Sequence, residues 1–251
     1  MDDLVLTTVA QRPEYATRLG EAAAHAWPHF MMQDLVAEVL LGQLVTAFPE
    51  LQLIATTADG RPVARARAVP FALAHRSPAG TLPGNGWDQV LIWGMRDHAD
   101  GRPADRVSAL EIAIDDAYLG VGLSGRMLQA LRGAALAAGF DELVAPVRPN
   151  HKHRHPRMPM SQYVATTRAD GLPIDPWLRV HVRAGGVIDA VAPASMVFAG
   201  SLAEWRDWTG LPFAASGSVE VPEALVPVHC DLEQDHAVYV EPNVWVRHRL
   251  R

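Results

Sequence analysis

The 251 residues contain one cysteine, Cys230. A disulfide within the chain is therefore excluded, and a reducing compartment is the natural expectation. A small buried hydrophobe in a strand is a better reading of Cys230 than a nucleophile. Positive charge is scarce as well: the formal net charge is -6, and the one basic cluster, Arg148 to Arg157, is short. No face is left on which nucleic-acid phosphates could be neutralised. Long apolar runs are missing, since none approaches the ~20 residues of a membrane span. Asp2 and Asp3 stand where a secretion signal carries positive charge. These absences predict a cytoplasmic protein whose partner is neither nucleic acid nor membrane, with length enough for one substantial core.

What is present centres on Ala109 to Leu128. Leu110, Ile112 and Ile114 alternate with Ala109, Glu111 and Ala113, as a strand requires. A turn holding Gly120, Gly122 and Gly125 follows, and then Leu123, Met127, Leu128, Leu131 and Ala135 recur at helical spacing up to a stop at Gly139. A strand, a glycine turn and a helix start make an anion-binding geometry, because free backbone N–H groups and the positive helix end converge. A P-loop is excluded, since Arg126 and Met127 follow Gly125 where Lys and Ser or Thr are needed. A dinucleotide fold fits poorly, because the next strand, Leu143 to Val147, ends in Arg148-Pro149-Asn150 rather than in an acid.

The run resembles motif A of the GCN5-related N-acetyltransferase (GNAT) superfamily: a strand, then Arg/Gln-x-x-Gly-x-Gly/Ala, then a helix. Leu119, Gly122 and Ser124 take the defined positions, and Leu119 and Ser124 depart from the pattern. The resemblance implies an α/β fold, a GNAT-like mixed β-sheet flanked by helices on both faces. It extends over residues 1–251 as one domain, with an insertion at about 72–106 and an extended C-terminal part at about 187–251. Acetyl-CoA or another acyl-CoA is the implied cosubstrate, with no metal.

Element order agrees. Leu4 to Val9 reads as a strand, Pro13 to Phe48 as helical, and Leu51 to Thr57 with Val63 to Phe71 as a hairpin around Asp59-Gly60. Residues 72–86 read as an irregular loop. Trp87 to Asp97 fits a strand or a short helix, and His98 to Arg106 a loop. His151, Lys152, His153, Arg154 and His155 read as a solvated basic loop, and Gln162 to Val164 as a strand. Asp175-Pro176 opens a helix that ends at Gly185-Gly186. Beyond it lie strand-like pieces at Val187 to Val191, Ser195 to Phe198 and Leu225 to Cys230, the last held to a sheet edge by Pro227. His236 to Val240 and Val244 to His248 read as a hairpin around Glu241-Pro242-Asn243, and Ser201 with Glu204 as a capping box.

The resemblance then assigns roles. Val121, Gly122, Leu123, Ser124, Gly125 and Arg126 would seat the pyrophosphate, Ile112, Ala113 and Ile114 would pair with the pantetheine arm, and Asn150 would hydrogen-bond it. His29, Phe30 and Met31 would overhang the acceptor. Glu111, the only carboxylate inside the central strand, would be a base with a raised pKa. His181, at the tyrosine position of motif B, would be the imidazolium that protonates the thiolate. The expected function is transfer of an acyl group, in the first place acetyl, directly to an amine of a small molecule, with a homodimer as one open assembly. A catalytically inactive GNAT-derived protein that holds CoA or another ligand is the alternative, and a His-plus-acid hydrolase a third reading.

Overall fold

A computed structural model describes residues 4–24 and 26–251; Asp2 and Asp3 lie outside them. The chain runs β1 (Val5–Thr8), α1 (Leu35–Leu40), α2 (Leu44–Ala47), β2 (Gln52–Thr56), β3 (Pro62–Phe71), α3 (Leu73–Arg76), α4 (Gly86–Ala99), β4 (Arg106–Ile114) and α5 (Leu123–Ala137). It continues through β5 (Glu142–Val147), α6 (Met160–Ala165), α7 (Pro176–Arg183), β6 (Val187–Ser201), α8 (Leu202–Thr209), β7 (Gly217–Val219), β8 (Val228–Asp231) and β9 (His236–Arg249). The strands form one mixed sheet in the order β1-β2-β3-β4-β5-β9-β8-β7, with β6 on β9. α5 buries the stripe its spacing predicts, Leu123, Met127, Leu128, Leu131 and Ala135, and each larger side chain contributes roughly 1.5–3 kcal/mol of burial. The hairpin of β2 and β3 turns at Gly60, whose φ of 84° suits a glycine.

The opening that matters lies between β4 and β5. These are the parallel pair, as expected from the helix crossover, yet they share only the pairs Val107↔Leu143 and Ser108↔Val144. Beyond that point β4 leaves its neighbour. On its other edge Ala109 pairs with Ala68 and Glu111 with Arg67, so Leu110 is an extra residue, a bulge that bends the strand. The freed Leu110 carbonyl accepts from Trp87 Nε1 at 2.8 Å.

Several expectations are corrected. The segment around Trp87 is helix α4, because buried Trp87, Val90, Leu91 and Gly94 recur at helical spacing against β3. Gly94 has no room for a side chain, its Cβ position lying 2.2 Å from Val69 Cγ2. Between Pro13 and Phe48 the described residues form only short helices and 3-10 turns joined by irregular backbone. Gln162 to Val164 belong to α6, which starts behind Pro159 and anchors Tyr163 to Asp175 at 3.0 Å. The basic loop is solvated only in part: Arg154 and His155 are exposed, but Lys152 is wholly buried and donates to the carbonyls of His155 and Leu225 at 2.8 and 2.7 Å.

Nor do His236 to His248 fold back on themselves. They are one strand, β9, running straight through Pro242. The missing N–H of Pro242 is tolerated because β6 bulges opposite it, between Ala192↔Asn243 and Met196↔Glu241. β6 is likewise one strand rather than two pieces. β8 starts just after Pro227 and pairs on both sides, with β7 and β9, so it is no edge. The β6 bulge also receives the segment before α4: Ala194 N donates to Gly84 O at 3.1 Å and Trp87 N to Ser195 Oγ at 2.9 Å.

Candidate active site

A cavity of about 1010 Å³ fills the opening between β4 and β5. Its walls come from the 3-10 turn His29–Gln33 and α1 (Met31, Met32, Glu38), from β3 (Arg65, Arg67), from Leu110 to Ile114 and from Ala145 to Arg148. The start of α5 and the exposed-tip loop at Asn150 to Arg154 close the ends, with Trp177 and His181 of α7. Met31 lines the cavity. Phe30 does not; it packs edge-on against Phe198 and Tyr239 in the core. His29 is not among the lining residues either, and its carbonyl accepts from the Gln33 side chain at 3.2 Å.

The glycine turn has the predicted form. Gly120 and Gly122 sit at φ of 76° and 83°, Gly122 caps α5 without any side-chain cap, and nothing lies within 4 Å of a Cβ added at either. Among the described residues, the backbone N–H groups from Gly120 to Gly125 donate to no acceptor. A helix start whose amides are free and whose approach is open is a place for an anion. Ile112, Ala113, Ile114, Leu123, Ser124 and Asn150 line the cavity, whereas Val121, Gly122, Gly125 and Arg126 stand on the turn beyond its lining. Ile112 to Ile114 keep one edge without a strand, since β5 has parted from them.

Glu111 is brought into the cavity wall but not in the state expected. Its carboxylate takes Arg65 Nε at 2.8 Å and Nη2 at 3.3 Å, Trp27 Nε1 at 3.2 Å and an ion-pair contact from Arg67 at 3.1 Å. Burial pushes its pKa up, yet the Arg67 and Arg65 charges and the hydrogen bonds outweigh this and hold it below the ordinary carboxylate range. A carboxylate so occupied is a poor base. His181 also departs from expectation. It is 2 % exposed, its Nδ1 lies 2.9 Å from His248 Nε2, and Trp177 packs on its ring at 4.5 Å. Burial, with His248 beside it, pulls its pKa down to about 3, so the ring is neutral at pH 7 and no imidazolium stands there.

Arg65, Arg67 and Trp27 escaped the sequence reading. The readable signal was Arg65-Ala66-Arg67, two cations at strand spacing in an otherwise apolar run. A second polar group borders the same cavity: Arg148 Nε meets Glu241 Oε2 at 2.9 Å, Tyr239 and Asn243 donate to the same carboxylate, and Ser195 donates to Asn243 Oδ1 at 2.6 Å. Nearby, Asp34 caps α1 through Ala37 N at 2.7 Å and Asp88 takes Val197 N at 3.2 Å, while Asp34 Oδ2 and Asp88 Oδ1 are buried without another partner among the described residues, and the two carboxyls act on each other's titration. Burial and then the Asp34 charge raise the Asp88 pKa to about 8, so this pair holds a proton at pH 7.

No protein-family model matches the chain. It is 34% identical over 275 residues to the curated arginine N-acetyltransferase avaD of Aspergillus versicolor, an alignment covering 98% of this chain and 93% of that one. In structure it is similar to the loading GNATL domain of CurA from Lyngbya majuscula, with a TM-score of 0.65, 16% identity and 98% of each chain covered. It is also similar to the GphF GNAT-like decarboxylase in complex with isobutyryl-CoA, with a TM-score of 0.56, 19% identity and 99% of each chain covered. The chain belongs to the GCN5-related N-acetyltransferase superfamily and is an N-acetyltransferase.

Proposed function

We propose that the protein transfers the acetyl group of acetyl-CoA directly to an amine of a small molecule, of the type that the arginine N-acetyltransferase relative is named for. The observation that carries this reading is the juxtaposition of two unsatisfied backbone rows. One is the edge of Ile112 to Ile114 where β5 has departed; the other is the free amides at the start of α5. The first can pair with the amide-rich pantetheine arm, and the second with the diphosphate. Leu123 and Ser124 face the cavity from the same turn, and Asn150 can donate to and accept from the arm across the opening.

The backbone of β4 orients the thioester carbonyl, and an N–H on its open edge stabilises charge building on that oxygen. The cavity walls hold the amine beside it, so the chief contribution is positioning. The amine attacks as the free base; the C–N bond forms, the C–S bond breaks, and the proton given up by nitrogen reaches the departing sulfur through cavity water. Glu111, tied to its arginines, and His181, neutral and tied to His248, act as wall and support.

Two variants test the seat by acetyl-CoA-dependent thermal stabilisation. Gly122→Val places a branched side chain at a left-handed φ over the amides and is expected to abolish the shift. Ser124→Asp puts a carboxylate in the first turn, which favours the helix itself but repels a diphosphate. It should retain the unliganded melting temperature while weakening acetyl-CoA at least ~10-fold, the order of one lost charge-assisted contact. Undiminished stabilisation in both would remove the proposed seat.

A further inference from the structure

Arg65 and Arg67 lie two residues apart on β3, so both side chains leave the same face of the sheet, opposite Ala113 and Glu111 of β4. Two guanidinium groups thus meet one carboxylate. Arg65 is fully engaged, with Nε and Nη2 on Glu111 and Nη1 on the carbonyl of Ala22. Its charge cancels that of Glu111. Arg67 is the surplus cation. Its side chain is 13% exposed and lines the cavity, and its contact with Glu111 is a charge contact that lacks hydrogen-bond geometry at the buried Nε. Among the described residues it makes no hydrogen bond. Burial, reinforced by the Arg65 charge, lowers its pKa against the pull of Glu111, as befits a cation short of a partner.

A half-enclosed guanidinium with unused N–H groups facing a substrate cavity calls for a planar anion, and a carboxylate matches its fork. We propose that Arg67 is the docking point for a carboxylate on the acceptor, so that the molecule acylated is an amino acid and not a plain amine. This deepens the reading above and rests on it. The same chemistry could reach Arg67 from the other cosubstrate, as the free carboxylate of a dicarboxylic acyl-CoA.

The test pairs each amino acid with its decarboxylated counterpart, arginine with agmatine and histidine with histamine, using the full chain, acetyl-CoA and thiol release. The ratio of kcat/KM within a pair cancels any loss of folded protein. Wild type is expected to favour an amino acid over its partner amine by ~10-fold or more. Arg67→Met should bring that ratio near one by raising KM for the amino acid alone, and Arg67→Lys should keep part of it. Calorimetric binding of arginine and agmatine to wild type and Arg67→Met supplies a readout independent of turnover. Equal use of both amines, or a ratio unchanged in Arg67→Met, overturns the carboxylate site while leaving acetyl transfer standing. Arg67-dependent arginine binding with no thiol release from any amine supports the site and overturns acetyl transfer instead. Malonyl-CoA gives the last arm: a KM for it that depends on Arg67, with amino-acid preference unaffected, assigns the carboxylate to the acyl group and overturns the acceptor assignment.

Discussion

Two carboxyl sites, Glu111 in the cavity wall and the Asp34–Asp88 pair outside its lining, titrate in opposite directions. Glu111 meets two guanidinium groups and an indole N–H and is held ionised. Asp34 and Asp88 meet each other and backbone amides, with Glu241 adding further negative charge, and Asp88 keeps its proton to about pH 8. Burial alone pushes all three the same way. The sign is decided by whether a cation is within reach. The first site is thereby a fixed ion cluster in the cavity wall with positive charge to spare, while the second is an acid pair holding a proton, its members bound to the start of α1 and, from the first turn of α4, to β6.

The largest way to break this contrast is Glu111→Gln, which leaves Arg65 and Arg67 buried with no anion between them. The loss is expected to be about 3–5 kcal/mol, as for one partner removed from a buried ion pair, and is read from the midpoint of urea unfolding. An unshifted midpoint would mean that the arginines are not held by Glu111.

Asp88→Asn is the next test, and its effect has the opposite sign. The folded carboxyl protonates at about 8 against 3.8 when free, so the folded state binds the extra proton between these values and wild-type stability falls as pH rises through that window. Asparagine can donate to Asp34 and accept from Val197 N at any pH. The variant should lose that slope and be more stable than wild type at pH 8 by roughly 1–2 kcal/mol. Thermal melts from pH 4 to 9 decide it, and parallel curves would refute a shared proton.

The smallest effect belongs to the imidazole pair. His181 and His248, with pKa values near 3 and 4 against 6.5 when free, bind fewer protons folded than unfolded. Their contribution is complete above pH 6.5 and is lost as pH falls toward those values, a limb opposite to that of the acid pair. His181→Gln keeps a polar partner for His248 and removes one titration, so the acid limb should become shallower by up to ~1.4 kcal/mol per pH unit. The kcat profile between pH 6 and 8 should keep its shape, because the ring it replaces does not ionise there. A lost pH-rate inflection would restore the acid role to His181.

Much of the frame was legible because it rests on local chemistry. The α5 stripe, the Asp59-Gly60 hairpin, the Asp175-Pro176 helix start and the Ser201–Glu204 capping box each follow from a few neighbouring residues, and each is found. What escaped depends on partners distant in the chain. Pro242 reads as a turn unless the β6 bulge opposite it is known, and the unbroken apolar run Val90 to Trp93 blurs the helical period of Trp87 to Asp97. The site suffered the same way. Glu111 reads as a raised-pKa base until Arg65, forty-six positions away, is seen bonded to it, and His181 as an acid until His248 is placed against its ring.

Lys152 is the one lysine among the 251 residues, and its ammonium is sealed between two carbonyls above the Tyr163 ring. This N-acetyltransferase thus exposes no lysyl nitrogen of its own to stray acylation. Amine-directed reagents would find this side chain only when the 151–155 loop comes away, so the rate of their uptake at Lys152 clocks the opening of that loop.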